Sequence, residues 1–477
     1  MRREDQRFTL QTRRHFLRRL GAPAIGLALL GPRLALAATR GAAGPIVGFG
    51  PLEHVPAGDL DLPAGFTYRI ISRVGERMDD GLSVPGRPDG MFAFAGGGAR
   101  SVLLRNHELK PNSSATAFRL QPQPLSQEQL ARIYDPSAGH GGVTTLVYDA
   151  ASGRVERQFL SLAGTLHNCA GGATPWGSWI SCEEISIRAG DFGATRDHGY
   201  NFEVPADAAG LVAAVPLVDM GRFNHEAVAV LDARGVTYQT EDQRDGLLYR
   251  FVPDRAGRLD AGGRLQALAV RDIPGVHTGN AGHGGRTITP GKRLPVDWID
   301  LDEVRAPADD LRLRGRARGA AAFARGEGIC VARGDSNERS QVWLMCTGGG
   351  PSGLGQLWCY RPSPHEGRPE ERKAPGTLEL FLEPDDATVL SHGDSVTMAP
   401  NGDLLICEDN RVLPRLLGVT PRGEVYVIAA NPRRDSEFSG ATFSPDGDTL
   451  FVNLQQRGVT LAISGPWHAP AQGQRAV

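Results

Sequence analysis

Apolar positions in this chain fall in short runs with a period of two, separated by glycine-containing turns. Beyond the N-terminal region only Leu125–Tyr134 keeps a helical spacing, so one short helix is expected there. What recurs is a strand, a turn, and a second strand ending in a polar or acidic cluster. Six such units can be read. The first runs from Pro88-Asp89-Gly90 to Asn106-His107-Glu108, and the second from His167-Asn168-Cys169 to Cys182-Glu183-Glu184. The third spans Asn224-His225-Glu226 to Thr240-Glu241-Asp242, and the fourth Arg325-Gly326-Glu327 to Thr347-Gly348-Gly349, turning near residues 333–340. The fifth joins His392-Gly393-Asp394 to Cys407-Glu408-Asp409, and the last Ser439-Gly440 to Asn453-Leu454-Gln455.

Turns such as Pro400-Asn401-Gly402-Asp403 and Ser444-Pro445-Asp446-Gly447 close the arms: proline presets φ, Asp or Asn caps, and glycine takes the left-handed position. Cys169 to Glu184, Glu226 to Glu241 and Asp394 to Asp409 are each 15 residues apart. That offset brings both ends of an antiparallel hairpin to one rim. The expected architecture is all-β, a six-bladed β-propeller with loop insertions, whose rims converge on one axial mouth.

Composition agrees. The 477 residues include 61 glycines and 33 prolines, well above average usage and spread among apolar runs, which favours turn-rich β-structure over disorder. A net charge of −2 gives no electrostatic reason to expect nucleic-acid binding. Residues 1–37 read as an address: Thr12-Arg13-Arg14-His15-Phe16-Leu17 resembles a bacterial twin-arginine signal, followed by a modest apolar stretch and Ala35-Leu36-Ala37. The stretch is shorter than the roughly 20 residues that span a bilayer. The expectation is export by the twin-arginine machinery to the periplasm or beyond, leaving one propeller domain over residues 38–477. Such export carries folded proteins, often with a cofactor installed.

Of six cysteines, Cys330, Cys346, Cys359 and Cys407 lie in or beside apolar runs and read as buried free thiols. Cys169 stands among acids instead. Carboxylates suit calcium, manganese or ferric iron and a thiolate suits iron or zinc, so several such groups at one mouth point to metal, and crowded acids would repel without cations. No CxxC pair, HExxH, Walker A, Rossmann fingerprint or Gly-x-Ser-x-Gly occurs. His167, His225 and His392 flank the candidate ligands, His225 from the opposite strand face to Glu226. Trp176 and Trp179 follow packing positions.

His167-Asn168-Cys169-Ala170-Gly171-Gly172, Thr174-Pro175-Trp176-Gly177, Gly221-Arg222-Phe223-Asn224-His225-Glu226, Phe323-Ala324-Arg325-Gly326-Glu327-Gly328, Asn401-Gly402-Asp403 and Phe438-Ser439-Gly440 together resemble the PhoX family of secreted alkaline phosphatases, over about residues 45 to 460. The resemblance implies a propeller with ferric and calcium ions at its mouth, hydrolysing phosphate monoesters, with no pressing need for an oligomer. It makes Cys169 an iron ligand and gives metal-binding carboxylates at Glu184, Glu226, Glu241, Glu327, Asp394 and Glu408. Arg325 resembles the arginine that holds the substrate phosphate. The alternatives are a calcium-dependent lactonase or arylesterase, and a non-catalytic metal-binding propeller.

Overall fold

The computed structural model describes residues 48–469, apart from 57, 120–124, 281–287, 333–339 and 411. The expected export signal and most of the fourth unit's turn lie outside these residues.

Each predicted unit is an antiparallel hairpin. In order they pair Pro88–Ala95 with Arg100–His107, Asn168–Ala173 with Ser178–Glu183, and His225–Val230 with Thr237–Glu241. The last three pair Gly326–Ala332 with Gln341–Cys346, Gly393–Met398 with Leu404–Glu408, and Phe438–Phe443 with Thr449–Leu454. A third strand extends every hairpin, and a fourth extends five of them. In the last sheet the fourth strand comes from the other end of the chain: Val459–Ser464 pairs with Thr67–Arg73. Arg293–Asp300 lies between the third and fourth meanders and joins them edge to edge.

The first strands of the hairpins touch one another around a closed ring. Close approach there demands small residues. A Cβ on Gly90 would sit 2.5 Å from the Ala170 backbone, and one on Gly440 would sit 2.1 Å from the Asp89 carbonyl. Period-two alternation builds the core between sheets. Val342, Leu344 and Cys346 face the third sheet with Tyr238 and Leu268, while Trp343 and Met345 face the fifth with Leu404 and Ile406. Equivalent apolar layers fill the remaining gaps, the last joining Phe451 and Ala462 to Met91, Leu103 and Leu146. Nearly all strand, with sheets packed around an axis, this is a β-propeller.

All six cysteines are free. Cys346, Cys359 and Cys407 are buried in these layers and Cys330 is half-buried. Trp179 is buried and donates to Asn106 Oδ1 at 2.8 Å. The expected helix is a single turn and a half, Gln127–Arg132, opened by a capping box between Ser126 and Gln129. Among the described residues no helix is long and apolar enough to cross a membrane.

Candidate metal centre at the axial mouth

One backbone device recurs in every hairpin. The strand pair nearest the mouth is Pro88 with His107, Asn168 with Glu183, His225 with Glu241, Gly326 with Cys346, Gly393 with Glu408, and Phe438 with Leu454. One residue further on the first strand come Asp89, Cys169, Glu226, Glu327, Asp394 and Ser439. One residue further on the second come Glu108, Glu184, Asp242, Thr347, Asp409 and Gln455. Five first strands shift register just after the mouth pair and the sixth one pair later, after Ser439, and such a bulge re-aims the side chain beside it.

A further tier lies two residues before the first set: Arg87, His167, Asn224, Arg325, His392 and Glu437. Arg87, His167, Arg325 and His392 adopt φ of 47°, 49°, 61° and 56°. Left-handed backbone is unusual for such side chains and marks an over-determined site. Their carbonyls accept from the N–H of Glu108, Glu184, Thr347 and Asp409 at 2.9–3.0 Å, which locks one tier to another.

The structure brings together Cys169, Glu184, Glu226, Glu327 and Asp394. Ligand atoms of Cys169, Glu184 and Glu226 lie within 4.8 Å of one another, as do those of Glu226, Glu327 and Asp394. Glu226 belongs to both groups. It is 1% exposed, and its Oε2 has no hydrogen-bond partner. A buried carboxylate oxygen left open between a thiol and further carboxylates fits a cation. Cys169 Sγ is 3.4 Å from Glu226 Oε1 and 3.7 Å from Asp89 Oδ2. Arg325 stands alongside: its guanidinium forks onto Asp242 at 2.8 and 2.7 Å and reaches Glu327 at 2.9 Å.

Glu241 and Glu408 are not brought to this cluster. Glu241 Oε2 accepts from Tyr249 Oη at 2.9 Å and Leu247 N–H at 3.1 Å. Glu408 is gripped by Arg415 at 2.6 and 2.7 Å and accepts from Ser391 N–H at 2.7 Å. Alternation explains both: each belongs to the paired position, and its neighbour, Asp242 or Asp409, takes the next. The constant offset of 15 misleads in the third hairpin, where the loop is one residue longer and Glu226 matches Asp242. Sequence reasoning also passed over Asp89, Glu108, Asp409 and Glu437, although the first three close or open units it had delimited.

Electrostatics show what the cluster lacks. Burial, then the charge of neighbouring carboxylates, pushes Asp89, Glu226 and Glu327 well above the usual carboxylate range and Asp394 to about 8. Burial and the same acids push the Cys169 thiol well up. His167 behaves as an internal cation. Burial would lower it, but Nε2 at 2.6 Å from Glu108 and Nδ1 at 3.1 Å from Glu184 raise it to about 9. Glu108 opposes its own burial through His167 and Arg87 and falls to about 2. His225 differs: it stacks on Phe223 with ring centroids 3.6 Å apart, shares a hydrogen bond with the Gly221 carbonyl at 3.0 Å, and burial drives it down to about 3.

A propeller whose axial mouth gathers a half-buried thiol and carboxylates around unpartnered oxygen defines a class of protein built to bind metal. Residues 47–458 match the family described as Alkaline phosphatase PhoX, and the chain belongs to that family. Family membership makes it a phosphatase and a metal-dependent one. In fold it is similar to Pseudomonas fluorescens PhoX in complex with vanadate, a transition state analogue: TM-score 0.63 and 18% identity, covering 88% of this chain and 98% of that one. A gluconolactonase from Xanthomonas campestris is more distant, with TM-score 0.41 and 13% identity over 86% of this chain and 99% of that one. No curated protein matches in sequence.

Proposed function

We propose that the chain hydrolyses phosphate monoesters at an iron–calcium cluster held by Cys169, Glu184, Glu226, Glu327 and Asp394. The observation that carries this is the pair of ligand groups sharing Glu226, with Arg325 tied to Glu327 at their edge. The donor set favours it: a thiolate suits iron, and hard carboxylate oxygens suit calcium or ferric iron. Glu241 and Glu408 fall outside the ligand set in this reading, Glu241 Oε2 being bonded to Tyr249 and Leu247 and both Glu408 oxygens to Arg415.

When bound, the metals neutralise phosphate charge and acidify a water into a nucleophile. The remaining work belongs to the chain. Phosphoryl transfer is limited by charge and positioning. Arg325 has its Nε–Nη2 edge on Asp242 and Nη2 on Glu327, so Nη1 is the donor it turns to a phosphate oxygen, and Asp242 holds the guanidinium in one orientation. His167 keeps a proton on its ring between Glu108 and Glu184, so one acid beside the cluster and one within it share a protein cation. Cys169 is a ligand in this reading and not a nucleophile. The twin-arginine signal would deliver the folded, loaded protein to the periplasm or beyond, where it acts as a monomer.

The test is hydrolysis of p-nitrophenyl phosphate by exported, purified protein in calcium, repeated after chelation. Turnover that disappears on chelation and returns with calcium is expected. Turnover indifferent to chelation, or none from a metal-loaded sample, would overturn the assignment.

A further inference from the structure

The tier that contains Arg325 is interrupted at one place. Arg87, His167, Arg325, His392 and Glu437 all carry ionisable side chains, whereas the third hairpin supplies Asn224. Beside Asn224 lies a cavity of about 430 Å³ whose polar lining is Asn224, Glu241, Gln243 and Arg312 together with Ser186 and the Arg222–Asp309 ion pair. That volume is within the range of small-ligand pockets.

Ser186 is taken by Asp309 and Arg222, but other polar groups are open for use. Neither the Asn224 nor the Gln243 side-chain amide makes a hydrogen bond among the described residues. Glu241 is 2% exposed and uses only Oε2, on Tyr249 and Leu247, so among the described residues Oε1 has no hydrogen-bond partner in a cavity it lines. Arg312, paired with Asp245 at 3.1 Å, adds a donor fork at the wall. The one aromatic side chain of the lining, Phe223, is buried and spent on stacking against His225 and Tyr249. The backbone ties one wall of the cavity to the mouth. Gln243 accepts the Arg325 N–H at 2.9 Å on its carbonyl, and Asp242 between Glu241 and Gln243 holds the Arg325 guanidinium.

Resting on the phosphatase reading, we infer that this cavity is the subsite for the leaving group, and that the leaving group is a neutral polyhydroxylated one, a sugar or polyol. Two amides, the Glu241 and Asp309 carboxylates and the Arg312 guanidinium combine donors with acceptors, which matches vicinal hydroxyls. They offer no face to stack an aryl ring or base. A site built of buried polar groups discriminates strongly, because a ligand lacking the matching hydroxyls leaves those groups unpaired.

The experiment compares kcat/KM for glucose 6-phosphate and for p-nitrophenyl phosphate in the metal-loaded wild type, Asn224→Leu and Gln243→Leu. The expected result is a ratio, sugar over aryl ester, that falls at least tenfold in each variant, with most of the change in KM. Equal losses on both esters would mark a structural role, and an unmoved ratio would mark an unused cavity. Either overturns the subsite while leaving the phosphatase standing. A wild type that turns over neither ester fails the phosphatase reading itself, and the subsite with it.

Discussion

At the residue scale, Cys169 and Arg325 carry separable duties. Cys169 lies in the ligand cluster and its thiol is held protonated by burial and by surrounding acids. Only a metal makes its thiolate comfortable there, since a coordinated thiol loses its proton outright. Arg325 touches the cluster through Glu327 alone and is 40% exposed at its side chain. Cys169→Ala should therefore lose iron, read by elemental analysis of the purified protein, and lose activity with it. Arg325→Ala should retain the metals and lose roughly 10²–10³ in kcat/KM, the scale for removing one transition-state electrostatic contact. A Cys169→Ala protein with full iron would remove the cysteine from the ligand set. The same scale shows what was legible. Cys169, Glu184, Glu226, Glu327 and Asp394 stood out as ligand-type residues at hairpin ends. The choice within the doublets Glu241-Asp242 and Glu408-Asp409 depends on strand phase, and a one-residue change in loop length reverses it.

At the element scale, the hairpins were readable because proline, Asx and glycine punctuate apolar alternation. The bulges and the left-handed residues were not, since neither has a composition of its own: Arg87, His167, Arg325 and His392 hold positive φ where glycine would be the local choice. The long segments behind the mouth were also opaque, being fixed by single buried groups. Asp135 is one. It is fully buried and accepts N–H bonds from Ser137 at 2.9 Å and Thr195 at 2.6 Å, and His198 bridges it to Glu183. Burial would raise it, but those backbone donors prevail and hold it at about 2, against 3.8 for a free aspartate. A depressed carboxylate stabilises the fold above its unfolded pKa and loses that contribution as pH falls through the folded one. The unfolding free energies of wild type and Asp135→Asn, from urea titrations, should thus differ by a constant amount above about pH 4. The gap should close toward pH 2, and a gap that widens on acidification would contradict this account.

At the scale of the whole molecule, the ring of first strands forces buried acids from several sheets into one small volume. Asp89 and Glu226 are at most 3% exposed, Glu327 is 5% exposed, and all three are destabilised as anions by burial and then by neighbouring carboxylates, Asp394 among them in each case. In most proteins a buried charge costs several kcal/mol unless it is paired. Here the pairs inside the protein, Arg325 with Asp242 and His167 with Glu108, cover only part of the deficit. The ring itself is closed by Thr67–Arg73 against Val459–Ser464, so sheets cannot relax apart singly to relieve the repulsion. Bound cations then stabilise the entire ring and not one sheet, and they do so by mass action, by about 2.7 kcal/mol at a hundredfold excess over Kd. Chelation should lower the melting temperature of the whole propeller in one cooperative step, by several degrees, with recovery on adding calcium back. Calorimetry in and out of chelator reads this directly. Loss of a minor early transition, with the main one unmoved, would show instead that the cluster is energetically local and that the apolar layers hold the ring without it.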